Sequence, residues 1–441
     1  MVYKKGSPSS LPGLWKYPSF RNESLISGQL WLQGKREDDG AEGLWRVHDD
    51  LYDLSGWLDQ HPGGAMWLQL TKGTDITEAF ESHHVSELPE KMLGGFRVRS
   101  ARTRRNSPYS FREDGFYRTL KRRVRRELAG MRPSWPHPSK LLIDLQLAAT
   151  LGAAALAAAR DSYLLGALAG LFLAFLVVMA HNFVHLRDNF RMYYFDLCLM
   201  SSRDWRITHA LSHHLYPNTL LDLEVTLMEP LLEWLPYETK STTQRYISWL
   251  YSPLLYSYLF HGQLVLRLTL FFHGYLDVLR KSDAIALILP AVMYFLGGAG
   301  FLQTLLMWSW IILTASFFFG VIGINGAHHH PDVFMDGDAP REDTDWGLAQ
   351  LDTLKDRTDV SRNLFLALTQ FGHHYLHHLF PTLDHCVLGE LYPAVERTLA
   401  EFGEKYDTTT VWDMLRGQFV QLARTSPNVR PAGYKSSAKA A

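Results

Sequence analysis

LAFLVVMAHNFVH, residues 173–185, is an apolar run that ends in two histidines four residues apart. On a helix such positions stand one above the other, so His181 and His185 share a face at the end of a segment apolar enough to belong in a bilayer. Two further clusters follow, HALSHH at 209–214 and HYLHH at 374–378. Imidazole suits iron, and rings repeated at three- or four-residue spacing can converge on a metal. The chain carries 20 histidines in 441 residues, too many for chance surface placement, and eight of them sit in these clusters. Together they read as one metal site at a membrane surface.

The surrounding sequence sets the topology. Apolar stretches at about 141–159 and 163–180 are separated by the polar pair Arg160 and Asp161, and a second pair follows at about 284–300 and 301–324. Each approaches the ~20 residues a spanning helix needs, which predicts four spans in two hairpins. Both hairpins then return to the side from which the first one entered, so every histidine cluster falls on one face. The stretch 246–272 is apolar but broken by Pro253, His261 and Arg267, and reads as a helix lying in the interface. Small residues at 153–159 and 166–170 suit close helix packing.

Residues 101–140 hold a run of arginines against few acids and read as a basic juxtamembrane linker, marking the cytosolic side. Residues 1–40, rich in Ser, Pro and Gly, read as a flexible arm in which Trp15, Tyr17 and Phe20 offer docking points, and 401–441 as a cytosolic tail. The opening MVYKKGSPSSLPGLW has no apolar core of the secretory kind. Cys198 and Cys386 are the only cysteines, which excludes a disulfide framework or a thiolate cluster and predicts a reducing setting. A formal charge of −1 and a pI near 7.1 point away from nucleic acid. The mean hydropathy of −0.11 averages a polar half with an apolar half and hides both.

LWRVHDDLYDLSGWLDQHPGG, followed by DITEAFESHHV, resembles a cytochrome b5 domain over about 41–100. The resemblance implies a haem b with His61 of the HPGG turn as one axial ligand and His84, four residues after Phe80, as the other; His83 is the near alternative. Two axial imidazoles close both faces of the iron, which suits electron transfer.

The region 141–400 resembles the membrane fatty acid desaturase family through its three histidine boxes. The match is His181 and His185; then His209, His213 and His214 with Asp222 and Glu224 behind them; then His374, His377 and His378 running into Leu379, Phe380 and Pro381. The resemblance implies that these histidines hold two non-haem iron ions, joined by His328 or, four residues after Asn325, by His329. Asp384 and His385 would be structural or would orient a ligand ring. Two departures stand out. The third box opens with His374 where desaturases carrying an amino-terminal cytochrome b5 domain usually have Gln, and the second box has one extra residue, HxxxHH in place of HxxHH.

The expected fold is a small α+β cytochrome b5-like domain followed by an all-α multi-span membrane desaturase domain with a cytosolic histidine-rich di-iron cap. The resemblance implies oxygen-dependent desaturation of an acyl chain in a lipid or acyl-CoA, with electrons delivered by a membrane-bound NAD(P)H-dependent cytochrome b5 reductase through the haem. It also implies a multi-pass protein of the endoplasmic reticulum whose haem domain and boxes face the cytosol. Two other readings stay open: a lipid hydroxylase of the same superfamily, and a non-catalytic membrane haem protein that only transfers electrons.

Overall fold

The computed structural model describes residues 3–23, 25–131, 137–324 and 326–432. The amino-terminal unit is small and α+β. Strands Trp45–Val47, Asp50–Tyr52 and Arg97–Ser100 form an antiparallel sheet, with Trp45 opposite Tyr52 and Leu51 opposite Arg99. Short helices Ala65–Thr71 and Thr77–His83 close over it. Trp45, Val47, Leu68, Ile76 and Phe80 fill the space between, and the Trp45 indole donates to Leu68 O at 3.0 Å, so the large ring is buried without an orphaned N–H.

Three helices among the described residues are long and apolar enough to cross a membrane: Pro138–Ala159, Tyr163–His185 and Phe301–Gly323. The first two are joined by the turn expected at Arg160 and Asp161. Asp161 takes a left-handed backbone, φ 46°, and Ser162 caps the next helix through Leu165 N. Gly170 marks a close crossing, since a Cβ there would stand 2.0 Å from Thr314 Oγ1.

The span expected at 284–300 is not one helix. A 3-10 segment, Lys281–Leu287, runs into an α-helix of eight residues, Ile288–Phe295. Pro290 has no N–H to give to Ala286, so it suits the first turn of the later helix and not the middle of a longer one. End to end the two segments reach about 26 Å, which approaches the hydrocarbon thickness by a broken path. The helix Ser248–Phe272 packs on Phe301–Ile324, where Ser316 Oγ accepts from Phe260 N and donates to Tyr256 O. Trp249, Leu254, Val265 and Phe272 point outward from it.

The segment expected to be a flexible arm is instead part of the core. Tyr3, Leu14, Phe20, Trp31 and Leu32 are buried in the cluster that also holds the second and third boxes. The Trp31 indole donates to Leu221 O at 2.8 Å, and Ser9 Oγ and Ser10 N both reach the Asp336 carboxylate. A Ser/Pro-rich composition reads as loose because its anchoring partners lie hundreds of residues away. The basic linker also differs from expectation. Its main element is the helix Phe116–Gly130, whose Phe116, Tyr117, Leu120 and Val124 are buried. Arg105, Arg118, Lys121 and Arg123 pair with Asp75, Glu78, Glu81 and Glu401 and so neutralise protein carboxylates. Arg132 and residues 433–441 of the expected tail lie outside the described residues. The rest of that tail is anchored, since Val411–Ala423 is helical and buries Met414, Gln418 and Leu422.

Candidate histidine metal centre and haem crevice

The first box ends the Tyr163–His185 helix, and Phe183 and Val184 between its histidines are buried. The second box lies on a π-helix, Arg206–His213, followed by a bond from His214 N to His209 O at 2.8 Å, five residues apart. This wider turn takes up the extra residue of HxxxHH and keeps His209, His213 and His214 together. The third box forms the helix His374–Leu379. Asp356 Oδ1 accepts from His374 N at 2.6 Å and from Tyr375 N at 3.3 Å, holding its first turn. Tyr392 and Tyr406 both donate to the other oxygen of Asp356.

All nine histidines expected as metal ligands fall into two neighbouring groups. His181, His185, His209, His214 and His377 form one, and His213, His328, His374 and His378 form the other; within each, the ligand-capable atoms lie within 4.8 Å of one another. Asn218 fixes the approach of the fourth segment by donating to His328 O, Phe334 O and Thr353 O. His329 is turned away and stacks on Trp234 at 3.9 Å, so of the two candidates it is His328 that stands with the other rings. Asn325, which sequence pairs with His329, lies outside the described residues. His385 packs its ring 4.7 Å from His377, while Asp384 caps the helix His385–Leu388.

The outer nitrogens decide what the inner ones offer. His328 Nδ1 lies 2.9 Å from Thr353 O and His378 Nδ1 3.0 Å from Gln350 Oε1, so both Nδ1 atoms donate. Their Nε2 atoms are then lone-pair acceptors, yet they face each other at 3.1 Å. Two acceptors at that separation repel, and a cation between them removes the conflict. His213 Nδ1 is likewise held by Asp222 at 3.0 Å and His209 Nδ1 by Glu224. Burial first, and neighbouring imidazoles second, hold His214, His377 and His378 well below the usual histidine range, which keeps them in the neutral form a metal requires. Burial opposes charge on His213 too, but the carboxylates of Glu224 and Asp222 outweigh it and lift that ring to about 9, so a metal ion bound by His213 displaces the proton from its Nε2 while Asp222 keeps the one on Nδ1. Such a donor set fits metal ions.

A cavity of about 540 Å³ opens onto this centre. His209, His213, His328 and His374 line it together with Trp205, Leu259, Leu270, Phe319 and Phe371. The amino-terminal segment supplies another wall through Arg21, Ile26 and Gly28.

In the smaller unit, the rings of His61 and His84 are 6.2 Å apart and nearly perpendicular, at 82°. His61 Nδ1 is 3.0 Å from Gly64 O, and His84 Nδ1 is 3.0 Å from Phe80 O. Both rings therefore present a free Nε2, the donor pair that a two-imidazole haem iron takes. His83 faces elsewhere, with its ring edge-on to Trp67 at 5.3 Å. Gly64, φ 106°, brings the HPGG turn against the larger unit: a Cβ there would sit 2.2 Å from Asp188 Oδ2. Sequence reading singled out Asp222 and Glu224, and Asn218 in the Tyr216-Pro217-Asn218 run beside them, but missed Gln350, Thr353 and Asp356. No local motif surrounds those three.

A family profile described as Fatty acid desaturase matches residues 162–410, and one described as Cytochrome b5-like Heme/Steroid binding domain matches residues 33–102. The chain is similar to the Cytochrome b5-related protein of Drosophila melanogaster, at 44% identity over 95% of this chain and 96% of the relative. It also matches the Probable Delta(5) fatty acid desaturase C of Dictyostelium discoideum at 24% identity, over 88% of this chain and 93% of that protein. No solved structure matches. The chain belongs to the fatty acid desaturase family and carries a cytochrome b5-like domain ahead of its histidine-bearing helices.

Proposed function

We propose that the protein desaturates an acyl chain, in a lipid or acyl-CoA, by an oxygen-dependent reaction at two iron ions held by His181, His185, His209, His214 and His377 on one side and His213, His328, His374 and His378 on the other. The observation that carries this reading is the pairing of two buried histidine groups beside an apolar cavity. Iron bound there supplies the oxygen activation needed to remove hydrogen from an unactivated chain, and haem b between His61 and His84 supplies electrons singly. The rest is the work of the protein. Asp222, Glu224, Gln350 and the Thr353 carbonyl aim the ligand rings, and Leu259, Phe319 and Phe371 hold an acyl chain against them and exclude water. We place the haem domain and boxes on the cytosolic side of the endoplasmic reticulum, where a membrane-bound cytochrome b5 reductase drawing on NAD(P)H reduces the haem.

The test is a lipid profile with double-bond localisation in yeast expressing the intact protein, His377→Ala or His61→Ala. A new unsaturated species, lost in both variants, is the expected result. A product heavier by one oxygen identifies a hydroxylase instead. No product from protein that carries both haem and iron overturns the enzyme reading and leaves an electron-transfer role.

A further inference from the structure

The haem-type domain is docked onto the histidine cap, and one side chain at the contact has no role in either site. His83 ends the Thr77–His83 helix, next in sequence to the expected haem ligand His84. Its Nδ1 lies 3.0 Å from Ala79 O, which leaves Nε2 as an acceptor, buried and without a partner. A buried unpaired acceptor is destabilising, so hydrogen bonding does not explain the position. The ring meets the edge of Trp67, and the Arg206 guanidinium lies 4.5 Å over that indole. Arg206 is fully buried and donates to Val184 O at 3.0 Å and Leu186 O at 3.3 Å, the two carbonyls that bracket His185 of the first box. Its third bond, 2.6 Å to Asp188, returns to the haem side, because Asp188 N donates to Gly63 O of the HPGG turn. Thr382, just past the third box, donates to His83 O.

We propose that His83, with Trp67 packed on it, is the relay through which an electron passes from the haem domain to the first-box side of the histidine centre. The proposal rests on the desaturase reading above. In the step one electron leaves a ferrous haem, which becomes ferric, and one ferric ion of the histidine centre becomes ferrous; no bond is made or broken at His83. His83 and Trp67 are positioning residues that fill the gap with contiguous π surface, and Arg206 fixes the gap's width.

The experiment injects an electron into the haem of the full-length, haem- and iron-loaded protein from a photoexcited ruthenium bipyridyl complex, without oxygen, and follows the decay of the ferrous haem absorbance. Wild type should show a decay phase that is absent from the iron-free His377→Ala variant. In His83→Leu and Trp67→Leu that phase should slow at least tenfold, with the haem spectrum and midpoint potential unchanged, whereas His83→Phe, which keeps a ring, should retain most of the rate. Unchanged decay in both leucine variants overturns the relay. Loss of the two-imidazole spectrum in His83→Leu also overturns it, by making His83 a haem ligand. Absence of any iron-dependent phase in wild type counts against the desaturase reading itself, and the relay falls with it.

Discussion

Two imidazoles of the second box, His209 and His213, are aimed by acids on the turn that follows it. Asp222 does this most completely: its Oδ2 faces His213 Nδ1 and also accepts from Asn218 N at 2.8 Å, so one carboxylate orients a ligand and fixes the turn. Removing an outer partner of this kind typically costs 10- to 100-fold in metal affinity or activity. Asp222→Asn keeps the shape but not the charge, and should lower iron retention by about that factor; iron per protein after dialysis against graded chelator measures it. This pair was legible in sequence because nine residues separate its members within one motif. Gln350 does equivalent work for the His378 ring, and Asp356 holds the backbone at His374, but neither was legible, since their partners meet only in the folded chain.

At the scale of elements, the π-turn of the second box answers the question its spacing raised. An extra residue in an α-helix would rotate His213 and His214 about 100° away from His209, whereas the i to i+5 bond absorbs it. Deleting Ala210, whose side chain is buried apolar surface and not a ligand, should restore HxxHH spacing and break this centre. The expected outcome is protein that keeps its haem absorbance but purifies with little iron. The spans of the first hairpin were readable from composition because each is one uninterrupted helix. The segment from Lys281 to Phe295 was readable as apolar but not as broken, because the change of helix type depends on where Pro290 falls in its turn.

At the scale of the molecule, the two domains form one body. Tyr117 donates to Glu81 O and Leu379 O, and Tyr216, beside the second box, donates to Glu78 at 2.9 Å. Burial works against charge on Glu81, but His48, Lys121 and Arg118 outweigh it and bring its carboxyl down to about 2 from an ordinary 4.5. A depressed acid of this kind stabilises the docked state fully above about pH 4.5, and the contribution is lost as pH falls toward 2. Hydrogen-exchange protection of the Thr77–His83 helix should therefore decline across that window, and Glu81→Gln should flatten the decline while lowering protection at pH 7. The domains themselves were legible from HPGG and the boxes; their docking was not, because it is made by single residues scattered from Gly63 to Thr382. The amino-terminal segment shows the same limit, and its placement governs how the protein is made. Ser9 and Ser10 leave the ribosome well before their partner Asp336, which follows more than 320 residues later. At about 5–20 residues per second the opening segment waits roughly 15–65 s with Trp31 and Phe20 uncovered. Slower translation should therefore lengthen this exposure in proportion, and chaperone binding to the opening segment is the measurement that follows it.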